Sequence, residues 1–282
     1  MFKIGRNLRI NLNEVVIMLV LNTSPESFFS GSVKSSAKEI EDFVLNAIKY
    51  GAKIIDVGGM STAPYKKTLV PEEVELERVK KAMNILKDLA LDLEISIDTQ
   101  RSRVMDVALN MGATIVNDIS GFSDPDSLKV AKNHSASVIA VAHGAPSEKV
   151  EPAEYIKKNL EEAIKKALNE GIDEESITVD PAIGFIRPDW IESAEWDLAV
   201  LNNLANIKSY FNKPLLIGIS RKSFIGKVVG EADPAKRLPG SLAAEIISVE
   251  RGANIVRVHD VYETVQALKI AEKLLNSFKL KL

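Results

Sequence analysis

Apolar positions along the chain follow two alternating rhythms. Short, nearly continuous runs rich in β-branched and aliphatic residues occur at 15–21 (VVIMLVL), 53–57 (KIIDV), 94–97 (EISI), 114–119 (TIVNDI), 137–142 (SVIAVA), 177–180 (ITVD), 214–219 (PLLIGI) and 253–258 (ANIVRV). Runs of this length predict strands buried on both faces. Between them, 36–50, 71–90, 101–111, 124–134, 151–170, 193–210, 235–251 and 261–278 carry apolar residues at helical spacing. Ser35 or Ser36 is placed to cap the first helix, Pro71 precedes Glu72 and Glu73, and Gly51, Gly112, Gly171 and Gly252 follow helix ends. These are the usual start and stop signals.

Strict βα alternation with unbroken apolar strands implies a parallel sheet covered by helices, and eight units are the number that closes a barrel. The predicted fold is therefore α/β, an eight-stranded parallel (β/α)8 TIM barrel over residues 15–282. Residues 1–14 (KIGRNLRINLN within them) are expected to form a short N-terminal hairpin. A doubly wound open sheet is the competing arrangement, but the first strand runs into NTSPESFFSG rather than a glycine-rich GxGxxG turn. The loops at 22–35 and 58–71 are long for βα connections, a length associated with functional loops.

Composition narrows the function. The 282 residues are 46% hydrophobic and 27% charged with a net charge of -3, an ordinary globular balance that gives no support to nucleic-acid binding. Cysteine is absent, which removes disulfides, thiolate nucleophiles and cysteine metal sites. No apolar run approaches the roughly 20 residues that span a bilayer, and the first residues lack a signal-peptide pattern, so a cytoplasmic protein without membrane partners is expected. Only Gln100 and Gln266 are glutamines while Glu, Lys and Ile are plentiful, a composition associated with heat-adapted proteins.

In a βα barrel, catalytic groups come from the C-terminal strand ends. Those ends supply Asn22, Asp56, Asp98, Asn117 with Asp118, His143, Asp180, the Ser220–Ser223 stretch, Arg257, His259 and Asp260. Singly, each reads as a cap or loop anchor; together they converge on one face. Asp98, Asn117 and Asp180 suit a flat, nitrogen-rich heterocycle, since a carboxylate facing an amidine-like edge makes two parallel hydrogen bonds and an amide reads a donor and an acceptor. Lys222, Arg257 and His259 would form a cationic pocket for phosphate or diphosphate. A metal-hydrolase reading lacks imidazoles, because only His134, His143 and His259 occur.

The motifs are recognisable at this point. NTSPESF resembles the NVTPDSF signature of dihydropteroate synthases and IDVGGMST resembles their IDIGGEST; SIDT, VNDISG, DPAIGF, GISRKSFIG and RVHDV follow in the family's order from about residue 17 to residue 261. The resemblance implies a transferase that joins 6-hydroxymethyl-7,8-dihydropterin diphosphate to 4-aminobenzoate and releases diphosphate, with Mg²⁺ and a homodimeric state. It further implies a pterin site at Asp98, Asn117, Asp180 and Lys222, and a diphosphate site at Asn22, Arg257 and His259 with Asn22 near the metal. The arylamine would sit at Thr62, Phe185 and Ser223, and the catalytic group would be Asp98, Lys222 and Arg257.

Departures from the family pattern cluster around the loops. Ala63 replaces the usual Arg, Met60 a Glu, Glu26 and Ser30 two acids of the first loop, and Ile186 with Arg187 the usual Gly-Lys. They imply either compensation by Lys66, Lys67 or Arg187, or a second substrate such as a ribosylated, phosphorylated arylamine. A pterin-dependent methyltransferase domain and a noncatalytic pterin-binding protein are the alternatives; a methyltransferase has no need of the cations in SRKS and RVHD.

Overall fold

The computed structural model describes residues 1–24, 36–61, 69–89 and 92–282. Eight parallel strands form the barrel: β3 (Glu14–Asn22), β4 (Ala52–Gly58), β5 (Glu94–Asp98), β6 (Ile115–Asp118), β7 (Ser137–Val141), β8 (Ile177–Asp180), β9 (Leu216–Ile217) and β10 (Ile255–Val258). Their spatial order is β8-β7-β6-β5-β4-β3-β10-β9. A bridge between Val179 and Leu215 returns β9 to β8 and closes the ring, with the Val179 N–H donating to the Pro214 carbonyl at 2.9 Å. β9 is shorter than the 214–219 run predicts, because Gly218 and the turn at Ser220 leave only two residues in the ladder.

Around the barrel lie α1 (Ala37–Lys49), α2 (Glu72–Asp88), α3 (Ser102–Asn110), α4 (Ser127–Asn133), α5 (Pro152–Asn169), α6 (Ser193–Asn202), α7 (Leu204–Phe211), α8 (Ser223–Val229), α9 (Leu238–Glu250) and α10 (Val261–Leu275). α1 starts with a reciprocal cap, Ser36 Oγ accepting from Glu39 N at 3.2 Å while Ser36 N donates to the Glu39 carboxylate at 3.0 Å. α2 turns Leu76, Val79, Met83 and Leu86 inward, a helical stripe packed on the fully buried strands. Burial of each such side chain stabilises the fold by about 1.5–3 kcal/mol. The predicted 193–210 helix is two helices meeting at Asn203, and the predicted C-terminal helix ends at Leu275 before β11 (Lys279–Leu280) pairs with β3. Among the described residues no helix is long and apolar enough to cross a membrane.

The N-terminal hairpin, β1 (Phe2–Ile4) and β2 (Leu8–Ile10), covers the N-terminal mouth of the barrel. Glu94, at the start of β5, accepts the N–H groups of Arg6 (2.8 Å), Asn7 and Leu8 (3.0 Å) and the Thr114 hydroxyl (2.6 Å). Ser137 at the start of β7 accepts Gly5 N–H at 2.9 Å. With this end sealed by Ile4 and Ile10, the barrel can receive a ligand at its opposite, C-terminal end.

Candidate active site

Strand register sets the site. Asn22 of β3, Gly58 of β4, Asp98 of β5 and Asn117 of β6 are successive partners across the sheet, so they lie at one level. Side chains alternate along each strand, and this level faces the C-terminal mouth. There a narrow cleft is lined by Asp98, Asn117, Ile119, Asp180, Phe185, Gly218, Lys222 and Arg257. The two carboxylates, the amide and the two cations inferred from strand ends are thus neighbours on one wall-to-wall surface.

A charge network forms the floor. Arg257 Nε donates to Asp56 Oδ2 at 2.6 Å, and its Nη2 donates to Asp98 Oδ2 at 2.6 Å. Asp56 Oδ2 also accepts from the Asn117 amide at 3.1 Å. Asp56 is 0% exposed, so sequence reasoning that named it only as a strand end missed its part in holding both Arg257 and Asn117. Burial pushes Asp98 up to about 7; Arg257 opposes this, while Asp56, Glu75 and Asp118 add to it. Burial would lower the Arg257 guanidinium, but Asp56 and Asp98 overcome that and hold it above its ordinary value.

Across the cleft, Asp180 ends β8 and accepts the Ala182 N–H at 2.8 Å. Burial raises its pKa against the pull of Lys222, the Ala182 N–H and Arg257. Lys222 crosses the turn after β8, donating to the Ile183 carbonyl and standing 3.9 Å from the Phe185 ring centre. Gly184 has φ +83°, and a Cβ there would fall 2.6 Å from Lys222 Cδ, so glycine is what lets the lysine lie against the turn. The site can therefore offer a planar ligand two carboxylates, an amide, an ammonium and an aromatic face.

The remaining predicted residues lie at its margins. Asn22 is half-buried, with Oδ1 3.4 Å from where a Cβ of Gly58 would stand. Ser223 opens α8 and its Oγ accepts from Arg187 Nη2 at 3.2 Å, next to Phe185 in the same turn. Thr62 lies outside the described residues, as do Ala63, Lys66, Lys67, Glu26 and Ser30; Met60 is buried at the end of the described segment. Among the described residues no three His, Asp or Glu side chains cluster to hold a metal.

One expectation about charge needs correction. His259 is not a cation: burial first, then Arg257, Arg221 and Lys222, push it down to about 3, and its Nδ1 lies 3.0 Å from Ser220 Oγ. It borders a second cleft with Leu19, Phe43 and Asp260, and is not among the residues that line the first. Arg221, the other cation of SRKS, turns away with φ +57° and pairs with both oxygens of Asp260 at 2.7 Å, besides binding the carbonyls of Pro234 and Ala235. It ties loops together. His143 packs against Gly121 outside the cleft, and His134 pairs with Asp106 at 2.8 Å on a helix end.

Comparison with known proteins gives this arrangement a context. Residues 18–259 match the family model described as pterin binding enzyme. The chain is 37% identical over 266 residues to the dihydropteroate synthase of Synechocystis sp., covering 92% of this chain and 89% of that one. The Yersinia pestis dihydropteroate synthase, solved with a sulfonamide drug complex, superposes with a TM-score of 0.88 at 29% identity, covering 98% of this chain and 100% of that one. That of Xanthomonas albilineans, solved with 7,8-dihydropteroate, gives 0.81 at 28% identity, covering 94% and 95%.

Proposed function

The chain belongs to the pterin-binding enzymes and is a dihydropteroate synthase, and from that premise we propose how its residues divide the reaction. Asp98, Asn117, Asp180 and Lys222 hold the pterin ring. Arg257, Asn22 and His259 hold the diphosphate, and Phe185, Ser223 and Thr62 the arylamine. The observation that carries this assignment is the single cleft in which Asp98, Asn117, Asp180 and Lys222 adjoin Arg257 and Phe185.

In the reaction the bond from the pterin methylene carbon to the diphosphate oxygen breaks, its electron pair leaving with diphosphate. The arylamine nitrogen then forms the new C–N bond and loses a proton. No protein nucleophile is used. Positive charge left on the pterin is stabilised by Asp98 and Asp180, while Arg257 keeps Nε on Asp56 and turns Nη2 from Asp98 to the departing anion. His259, whose imidazole burial and the neighbouring cations hold below its ordinary value, serves the diphosphate as a hydrogen-bonding group. Mg²⁺ suits the mouth of this cleft, since it takes one or two protein oxygens together with phosphate oxygens and water, and the Asn22 amide offers one. Held there by Asn22, it would supply charge neutralisation for the leaving diphosphate.

For the second substrate, Arg187 is the candidate compensating cation among the described residues. Its guanidinium meets Ser223 beside Phe185, where a carboxylate para to the amine would lie when the ring packs on Phe185. This supports 4-aminobenzoate as a second substrate, its carboxylate meeting a cation there. With dihydropterin diphosphate and Mg²⁺, kcat/KM measured by diphosphate release is expected to be higher for 4-aminobenzoate than for its ribosylated, phosphorylated analogue. The opposite order would reassign the second substrate.

A further inference from the structure

α6 brings to the back of this cleft a carboxylate that the proposed site does not use. Asp197 is 1% exposed, and its Oδ1 accepts the Gly184 N–H at 2.7 Å. Gly184 lies in the turn that gives Lys222 both its carbonyl partner, Ile183, and its aromatic neighbour, Phe185. The lysine is pressed so closely on this turn that a Cβ on Gly184 would stand 3.4 Å from Nζ. The bond from α6 therefore holds the middle of the surface on which Lys222 lies, beside the turn's own Phe185 N–H to Ala182 carbonyl bond and the Arg187 guanidinium on the Gly184 carbonyl.

We infer that Asp197 is a positioning residue for Lys222: it pins the Ile183–Phe185 turn from behind and adds to Asp180 a second negative charge that keeps the enclosed ammonium protonated. The inference rests on Lys222 acting as the pterin-binding cation. The charged groups around the pair are few. Asp197 faces Lys222 and Lys227 of α8 and its flank, and Arg187 beyond the turn. Lys222 faces Asp180, Asp197 and Asp98 as anions and Arg257 as a cation.

The direction of the effect follows. Burial lowers Lys222 to about 8, opposed by Asp180 and Asp197. Burial raises Asp197 to about 6, opposed by the Gly184 N–H, Lys222, Arg187 and Lys227. Between these values both groups are charged. Removing the Asp197 charge disfavours the ammonium, so Lys222 must lose its proton at lower pH; below about pH 6 the wild-type carboxyl is itself protonated and the difference narrows.

The test is Asp197→Asn, whose amide oxygen can still accept the Gly184 N–H. The Lys222 ammonium, followed by ¹³C NMR in lysine-labelled protein and assigned with Lys222→Arg, is expected to titrate about one unit lower in the variant. The alkaline limb of kcat/KM should move with it, giving about a tenfold deficit at pH 9 that shrinks toward pH 6. An unchanged Lys222 titration in Asp197→Asn overturns the inference, as does a deficit independent of pH. Equal loss at every pH in Asp197→Ala alone would leave Asp197 a purely structural anchor of the turn and also overturn it. Absence of turnover in wild type would count against the site reading, while the NMR titration would still decide the Asp197 question.

Discussion

Replacing Arg257 with glutamine is expected to destabilise the barrel by about 3–5 kcal/mol and to remove measurable turnover, the range seen when one partner of a buried ion pair is deleted. The side chain is 17% exposed, and it faces Asp56, which has no exposure, and Asp98, which has 17%. Without it Asp56 keeps only the Asn117 amide on the shared oxygen, a buried charge with no cation beside it, while Asp98 loses the one group that opposed the rise of its pKa. Urea unfolding measures the loss. Adding Asp56→Asn should restore a substantial part of the stability, because it removes the stranded charge, yet should not restore turnover. A single variant as stable as wild type would show that the guanidinium is not needed to balance the floor.

Asp180→Ala should weaken binding of a pterin without phosphates by about 1.5–3 kcal/mol, the range for hydrogen bonds to a charged group, or roughly 10- to 150-fold in Kd. Asp180 has its pKa raised chiefly by burial, so an amidine-like edge that supplies two N–H donors relieves a group the protein leaves with one backbone donor, Ala182. Asp180→Asn retains an acceptor for Ala182 and separates loss of charge from loss of the turn. Calorimetry that finds wild-type affinity in a folded Asp180→Ala protein would remove Asp180 from the pterin site.

The barrel was legible because its strands are buried on both faces and therefore uniformly apolar, as in the nine-residue β3, whose interior positions are all buried. Strand ends were legible in the same way, since Asn22, Asp98 and Asn117 share one register level. What failed was the assignment of charge. SRKS reads as two cations, but only Lys222 enters the cleft; Arg221 belongs to Asp260, 39 residues further along the chain, in a contact no local pattern announces. His259 reads as a cation until burial beside Arg257 makes it neutral. Asp197 did leave a trace: it falls on the stripe of Ala194, Val200 and Leu201 that α6 turns inward, and a carboxylate on a buried apolar stripe requires a partner. Asp56 left less, because a buried acid inside IDVGG looks like any other strand-end cap.

The most direct measurement is a crystal structure of the protein with dihydropterin diphosphate and Mg²⁺ bound. The pterin ring is predicted between Asp98, Asn117, Asp180 and Lys222, with the diphosphate reaching Arg257 and Asn22 and with Asp56 still on Arg257 Nε. A pterin ring bound outside the cleft, or a diphosphate directed away from Arg257, would contradict the account.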